Sequence, residues 1–145
     1  MIKIPAFEYR VAYCDTDAGG IVYHSRYFDI AERSRNEILH HFGQGLRSIE
    51  KEYGLRLVVS NAKAVYENAA FLDDVLTARQ AIERCSAAMV IWKTSFNRGD
   101  IDISSVTVRL AAIGKDNRIS IIPDQISEMF ANIQTELSKL VEKTK

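Results

Sequence analysis

The sequence predicts an α+β chain in which one long helix lies on an antiparallel sheet and a second amphipathic helix closes the C-terminus. Three observations carry this. A stretch of helical period, Ser25 to about Phe42, follows a short strand-like opening. Four long strand-like stretches then follow one another with only tight turn signals between them. That spacing suits antiparallel neighbours, because parallel ones need long crossovers. The last stretch, Asp124 to Glu142, returns to helical period.

Each element has its own reason. Glu8 to Tyr13 mixes β-branched and aromatic residues with polar ones and reads as a first strand. Asp15 to Gly20 is a small, polar, glycine-containing turn. In the helix, Tyr27, Ile30, Ala31, Ser34, Ile38 and Phe42 form one stripe, while Asp29, Arg33, Asn36, Glu37 and His40 fill much of the other face. Gly43 is a stop signal. Such a helix is about 27 Å long at 1.5 Å per residue, and Ala31 and Ser34 are small enough to let it lie close on a sheet. Leu46 to Tyr53 predicts a short second helix. Strands are expected over Leu55–Tyr66, Val75–Cys85, Ala88–Arg98 and Ile101–Gly114, separated by Asp73-Asp74, Cys85-Ser86 and Arg98-Gly99-Asp100. Ile119–Ile122 reads as a further short strand. In the final helix Ile126, Met129, Phe130, Ile133, Leu137, Leu140 and Val141 share a stripe.

Composition narrows the function. Lysine plus arginine equals aspartate plus glutamate, 19 each, so no net charge points to nucleic acid as a partner. No apolar run reaches the roughly 20 residues that span a bilayer. Met1 to Pro5 lacks the apolar segment of a secretory signal. The expectation is a cytoplasmic protein with Cys14 and Cys85 as reduced thiols. The two cysteines have no metal-ligand spacing, and no metal or cofactor is expected. Without a linker or repeat, residues 1–145 read as a single domain.

The chemistry concentrates in Tyr13 to Tyr27, between the first strand and the long helix. Two carboxylates, Asp15 and Asp17, precede Gly19 and Gly20, then His24 and Ser25 at the helix entrance. A helix N-terminus offers unpaired N–H groups that can hold a carbonyl oxygen as it gains charge. A nearby carboxylate can activate water or attack the carbonyl itself. A thioester suits such a site, since its thiolate leaves readily. An Asp-Thr-Asp segment before a helix also serves simply as turn and cap, and a lone histidine there is more often structural than catalytic. Spacing alone leaves both readings open.

Tyr13 to about Glu37 resembles the 4-hydroxybenzoyl-CoA thioesterase-like family of hot-dog proteins, within it the bacterial branch associated with the Tol–Pal envelope system. The matching residues are Asp15 to Gly20, Val22 to His24, Tyr27 and Glu32-Arg33, with Tyr66 and Leu72-Asp73-Asp74 as a second region. The order of elements fits along nearly the whole chain. The resemblance implies a hot-dog fold, a curved antiparallel sheet wrapped around a long central helix, plus a C-terminal helix. It implies an acyl-CoA thioester hydrolase with Asp17 as general base or nucleophile, the N–H near His24 polarising the carbonyl, and the His24 side chain in support. Gly19, Gly20, Val22, Tyr23 and Tyr27 would shape the substrate site, and Asp15 would stabilise the turn. It further implies a dimer or tetramer with sites at subunit interfaces, and an acyl carrier protein as an alternative acyl donor. Lys63, Arg84, Lys93, Arg98, Lys115 and Arg118 are the cations that could meet CoA phosphates. Ile21, Tyr27, Phe28, Val58 and Phe71 would set pocket depth. Ala69 stands where many relatives have proline, and the terminal helix is long for the branch. Cys14 lacks a base to activate it. The rival readings are a non-catalytic acyl-CoA or carrier-protein binding module, a hydratase or dehydratase whose own motif is not found, and an envelope scaffold.

Overall fold

The computed structural model describes residues 4–143. Residues 1–3 and 144–145 lie outside the described residues, and with them the first part of the Met1 to Pro5 segment. The elements run β1 (Phe7–Arg10), a 3-10 turn (Tyr13–Asp15), α1 (Arg26–His41), α2 (Leu46–Tyr53), β2 (Arg56–Tyr66), β3 (Val75–Cys85), β4 (Met89–Arg98), β5 (Ile101–Ile113) and α3 (Asp124–Glu142). The strands form one sheet in the order β1-β3-β4-β5-β2. Every pairing is antiparallel.

The alternation of β3, β4 and β5 builds one buried face. Ala78 pairs with Phe96, Ile82 with Trp92, and Trp92 with Val108. All five side chains are buried. Register shifts at Val59/Asn61, Ile82/Arg84 and Phe96/Asn97 interrupt the ladders. Such irregularities bend strands and raise their twist, which curves the sheet around the helix.

The α1 stripe explains how closely that helix sits. Ile30, Ala31 and Ser34 are completely buried. At the contact, Gln80 on β3 accepts from Trp92 Nε1 at 2.7 Å and from Thr94 Oγ1 at 2.8 Å. Its amide donates to Ser34 Oγ, which donates to the Ala31 carbonyl at 2.8 Å. Among the described residues no buried side-chain polar atom lacks a partner, so this polar node costs little while fixing the helix over the sheet. α3 packs beside it. Phe130 meets Trp92 edge-on with centroids 6.5 Å apart, and Gln134 Nε2 donates to the Ile82 carbonyl at 2.9 Å.

Several boundaries differ from expectation. The first strand ends at Arg10 rather than Tyr13, because the Asp15 carboxylate takes the Ala12 N–H at 2.8 Å and turns the chain. The long helix begins at Arg26, with Ser25 as its N-cap residue. Ile119–Ile122 contributes only one bridge, Ile113 to Ile119. Leu140 and Val141 are 39% and 54% exposed, so the packed stripe of α3 stops at Leu137. Gly54 closes α2 at φ +63, a left-handed cap that favours glycine.

Candidate active site

The segment between β1 and α1 is held from below by Asp15. This residue is fully buried. Its carboxylate accepts from the Ala12 N–H, from the Tyr9 hydroxyl at 3.0 Å, and from Arg26 Nε and Nη2 at 3.1 and 2.9 Å. Burial pulls its pKa up, but the Ala12 N–H, Arg26 and Tyr9 outweigh that and hold it below the ordinary value. One carboxylate therefore ties the end of β1, the 3-10 turn and the first turn of α1 together. Tyr9 and Arg26 were not singled out in the sequence. Their role becomes visible only once the turn brings them together.

Asp17 sits on the tight turn above this anchor. A bridge between Thr16 and Val22 closes the turn. Asp17 N–H donates to the Ile21 carbonyl at 3.0 Å, and Gly20 N–H to the Asp17 carbonyl at 3.0 Å. Gly20 has φ +77, where a side chain is strained. Gly19 N–H donates to Asp17 Oδ1 at 2.8 Å. A Cβ on Gly19 would lie 3.1 Å from that same oxygen, so glycine here leaves the carboxylate its place. Asp17 is exposed, and its Oδ2 accepts no hydrogen bond among the described residues.

The chain returns to the helix entrance through Val22, Tyr23 and His24. Val22 N–H donates to the Ala70 carbonyl and Tyr23 N–H to the Asp15 carbonyl. The amides of His24 and Ser25 donate to no backbone carbonyl among the described residues. They precede a helix start, where the dipole adds to their pull on an oxyanion. Tyr66, at the end of β2, donates its hydroxyl to the His24 carbonyl at 2.8 Å. The His24 ring stands 4.3 Å from Tyr23 and 6.4 Å from Tyr66, centroid to centroid.

The predicted substrate residues divide in two. Gly19, Gly20 and Tyr23 are exposed; the two glycines bond Asp17 and Tyr23 meets the His24 ring. Val22 and Tyr27 are 4% and 3% exposed and belong to the core. Tyr27 packs between Tyr66 and Phe96, and burial pushes its phenol up to about 12, so it stays protonated near neutral pH. Of the depth-setting residues, Ile21, Val58 and Phe71 face outward while Tyr27 does not. Phe28 is half-buried.

Among the possible phosphate contacts, Lys63, Arg84, Lys115 and Arg118 are exposed and Lys93 is half-buried. Arg98 is already engaged. It pairs with Asp74 at 2.6 Å and donates to the Ala69 carbonyl at 3.1 Å. Asp74 in turn accepts from Phe71 N–H at 2.8 Å. This pins the Ala69–Asp74 loop, whose Phe71 bridges Ile21, against the motif. Cys14 and Cys85 are free and exposed thiols.

The motif lies outside two cavities found among the described residues. The larger, about 900 Å³, lies around the C-terminal half of α1 and is lined by Phe7, Ile38, Arg79 and Leu137. None of residues 13–24 lines either one. The catalytic reading rests on the turn geometry, which has the chemistry, and not on the larger cavity.

Comparison with known proteins gives a consistent picture. A family model described as the thioesterase-like superfamily matches residues 11–130. The acyl-CoA thioesterase YbgC of Haemophilus influenzae is 31% identical over 131 residues, covering 89% of this chain and 96% of that protein. The acyl-CoA thioester hydrolase YbgC of Escherichia coli O6:H1 is 43% identical over 85 residues, covering 57% of this chain and 61% of its own. The crystal structure of a hypothetical protein from Aquifex aeolicus superposes with a TM-score of 0.81 at 28% identity, over 88% of this chain and 99% of that one. The five-stranded antiparallel sheet with its long helix is the hot-dog fold.

Proposed function

This chain belongs to the thioesterase-like superfamily, and on that premise we propose that it hydrolyses acyl-CoA thioesters to free acid and CoA with Asp17 as the acting carboxylate. The observation that carries this is the Asp17 side chain, held through Oδ1 by Gly19 N–H on a closed turn that leads into the His24 and Ser25 amides. In the general-base form, Asp17 takes a proton from water as the water oxygen bonds to the thioester carbon. The entry amides hold the resulting oxyanion. The C–S bond then breaks, and the CoA thiolate leaves and takes up the proton. In the nucleophilic form, Asp17 displaces the thiolate itself and water cleaves the resulting anhydride. His24, through its side chain, orients water or substrate in either form. Gly19, Gly20, Val22, Tyr23 and Tyr27 shape the substrate site, the two buried ones from beneath.

A second copy completes the site in this reading. Ile21, Tyr23, Tyr66 and Phe71 are large, exposed and next to the motif. β2 lies at a sheet edge and exposes Val58, Val59 and Val65. Open apolar edges invite pairing. A dimer or tetramer would cover this surface and enclose the acyl group between subunits. Residues 1–145 act as one domain in this reading, in the cytoplasm, on acyl-CoA or on an acyl group carried by acyl carrier protein. The Tol–Pal-associated branch is the proposed place within the family. Among the described residues no helix is long and apolar enough to cross a membrane.

The test is release of free thiol from a panel of short, long and aromatic acyl-CoAs. Asp17→Asn is expected to fold as wild type yet turn over at least about a hundredfold more slowly, as loss of a general base typically does. Equal rates would remove Asp17 from the mechanism. Tight binding without thiol release by the wild type would favour the non-catalytic binding module instead.

A further inference from the structure

The loop between β2 and β3 is tied to the motif at two points. Val22 N–H donates to the Ala70 carbonyl at 2.9 Å, and Ile21 bridges Phe71. Ile21 is also the residue whose carbonyl takes the Asp17 N–H at 3.0 Å. One residue therefore joins the Asp17 backbone to the loop. Arg98 holds that loop from the other side. It is the last residue of β4, the middle strand of the sheet, so its backbone is a fixed reference. Its Nη1 donates to Asp74 Oδ2 at 2.6 Å and to the Ala69 carbonyl at 3.1 Å. The same Asp74 oxygen accepts from Phe71 N–H at 2.8 Å, and the guanidinium carbon lies 5.9 Å from the centre of the Phe71 ring. One side chain thus meets both ends and the middle of residues 69–74.

We propose that Arg98 is a positioning residue for the hydrolysis: acting through Asp74 and the Ala69–Asp74 loop, it fixes the turn that presents Asp17 to the thioester. This role rests on the proposed Asp17 chemistry. It also separates Arg98 from the cations that could meet CoA phosphates, because its effect passes through the loop and not through the CoA moiety. The side chains of Arg98 and Asp74 are 30% and 22% exposed, so solvent and salt screen the pair less than a fully exposed one. Displacing a reacting group by about 1 Å can cost about a hundredfold in rate, so a modest loosening of the loop is enough to show in turnover. The fold has other ties at this point. Val11 N–H donates to the Asp74 carbonyl at 2.8 Å, and Asp73 N–H donates to the Val11 carbonyl at 3.0 Å. These bonds keep the end of the loop beside β1 when Arg98 is changed, and confine the loosening to Ala69–Phe71.

Full-length wild type, Arg98→Gln, Asp74→Asn and Asp17→Asn are compared on one acyl-CoA and on the same acyl group carried by pantetheine, which has none of the CoA phosphates. Arg98→Gln and Asp74→Asn are each expected to lower kcat by about tenfold on both substrates, with KM moving less than about twofold. The double variant should lose no more than either single one, because both remove the same contact. Unchanged kcat in Arg98→Gln would overturn the proposal. So would a rise in KM confined to the CoA substrate, which is the mark of a phosphate contact. Amide hydrogen exchange gives a readout without substrate. The Val22 amide should exchange at least about tenfold faster in Arg98→Gln, while amides in the middle of β5 keep their wild-type rates. Equal Val22 exchange in wild type and variant would also overturn the proposal. Should Arg98→Gln fail to fold, Asp74→Asn, which keeps an acceptor for Phe71 N–H, decides by the same criteria. The two readings fail differently: wild-type turnover in Asp17→Asn removes the Asp17 mechanism, whereas a slow Asp17→Asn beside a fully active Arg98→Gln removes only the role of Arg98.

Discussion

Replacing Asp15 by asparagine probes the anchor beneath the motif without touching Asp17. The change removes one negative charge from a fully buried position. Asparagine keeps one acceptor oxygen, so it can serve either Arg26 or the Ala12 N–H, while its amide faces the other donor. A hydrogen bond to a charged group contributes about 1.5–3 kcal/mol, and an orphaned buried donor costs about 1–3 kcal/mol. Arg26 is 29% exposed, so water recovers part of its loss. The expected net destabilisation is about 2–3 kcal/mol. At about 2–4 °C per kcal/mol for a chain near this length, Tm should fall by about 4–12 °C at pH 7. The pH dependence has a definite sign. The folded pKa of Asp15 lies below its ordinary value. Its contribution is therefore present above the unfolded pKa of about 3.9 and is lost as pH falls through the lower folded value. Thermal melts by circular dichroism, at fixed protein concentration from pH 8 to pH 2, make the measurement. The gap between wild type and variant should stay constant down to about pH 5 and shrink below about pH 4. A gap under about 0.5 kcal/mol at pH 7, or one that persists unchanged to pH 2, would refute the reasoning.

Gly19→Ala places a methyl group 3.1 Å from Asp17 Oδ1 and should cut thiol release severalfold with little change in Tm. An unchanged rate would mean that the carboxylate need not hold its observed position. Gln80→Leu strips Trp92, Thr94 and Ser34 of a shared partner and is expected to cost about 2–4 kcal/mol, since each buried group left unpaired costs about 1–3 kcal/mol; urea unfolding measures it. Tyr66→Phe removes the bond to the His24 carbonyl. It should lower stability by about 1 kcal/mol or less while reducing turnover through a looser helix entrance, and steady-state kinetics on one acyl-CoA checks this.

Much of this architecture was legible because periodicity reports which face is buried. Val75–Cys85 and Asp124–Glu142 keep the boundaries their patterns suggest. Ala31 and Ser34 look like a close-approach stripe in the sequence and are completely buried in the structure. The misjudged ends have local causes. Tyr13 carries a strand-forming side chain, but the buried Asp15 carboxylate ends the ladder early. Ile119 and Ile121 look like strand residues, yet they are about three-quarters exposed, since only Ile119 finds a bridge. Leu140 and Val141 continue the stripe of α3 beyond the reach of the packed core.

Fold class, the order of elements and the candidate site were all legible along the chain, because each is written in period, turn residues and a long local motif. Those are properties of neighbours along the chain. Tertiary structure decided which partners each carboxylate meets. Asp15 meets Tyr9 and Arg26 and is committed to holding the turn, whereas Asp17 is exposed and bonded through Oδ1 to Gly19 N–H. It also moved Val22 and Tyr27 into the core and committed Arg98 to Asp74. None of these was readable from spacing, because burial and pairing depend on residues that are distant in sequence and meet only when the sheet closes around the helix.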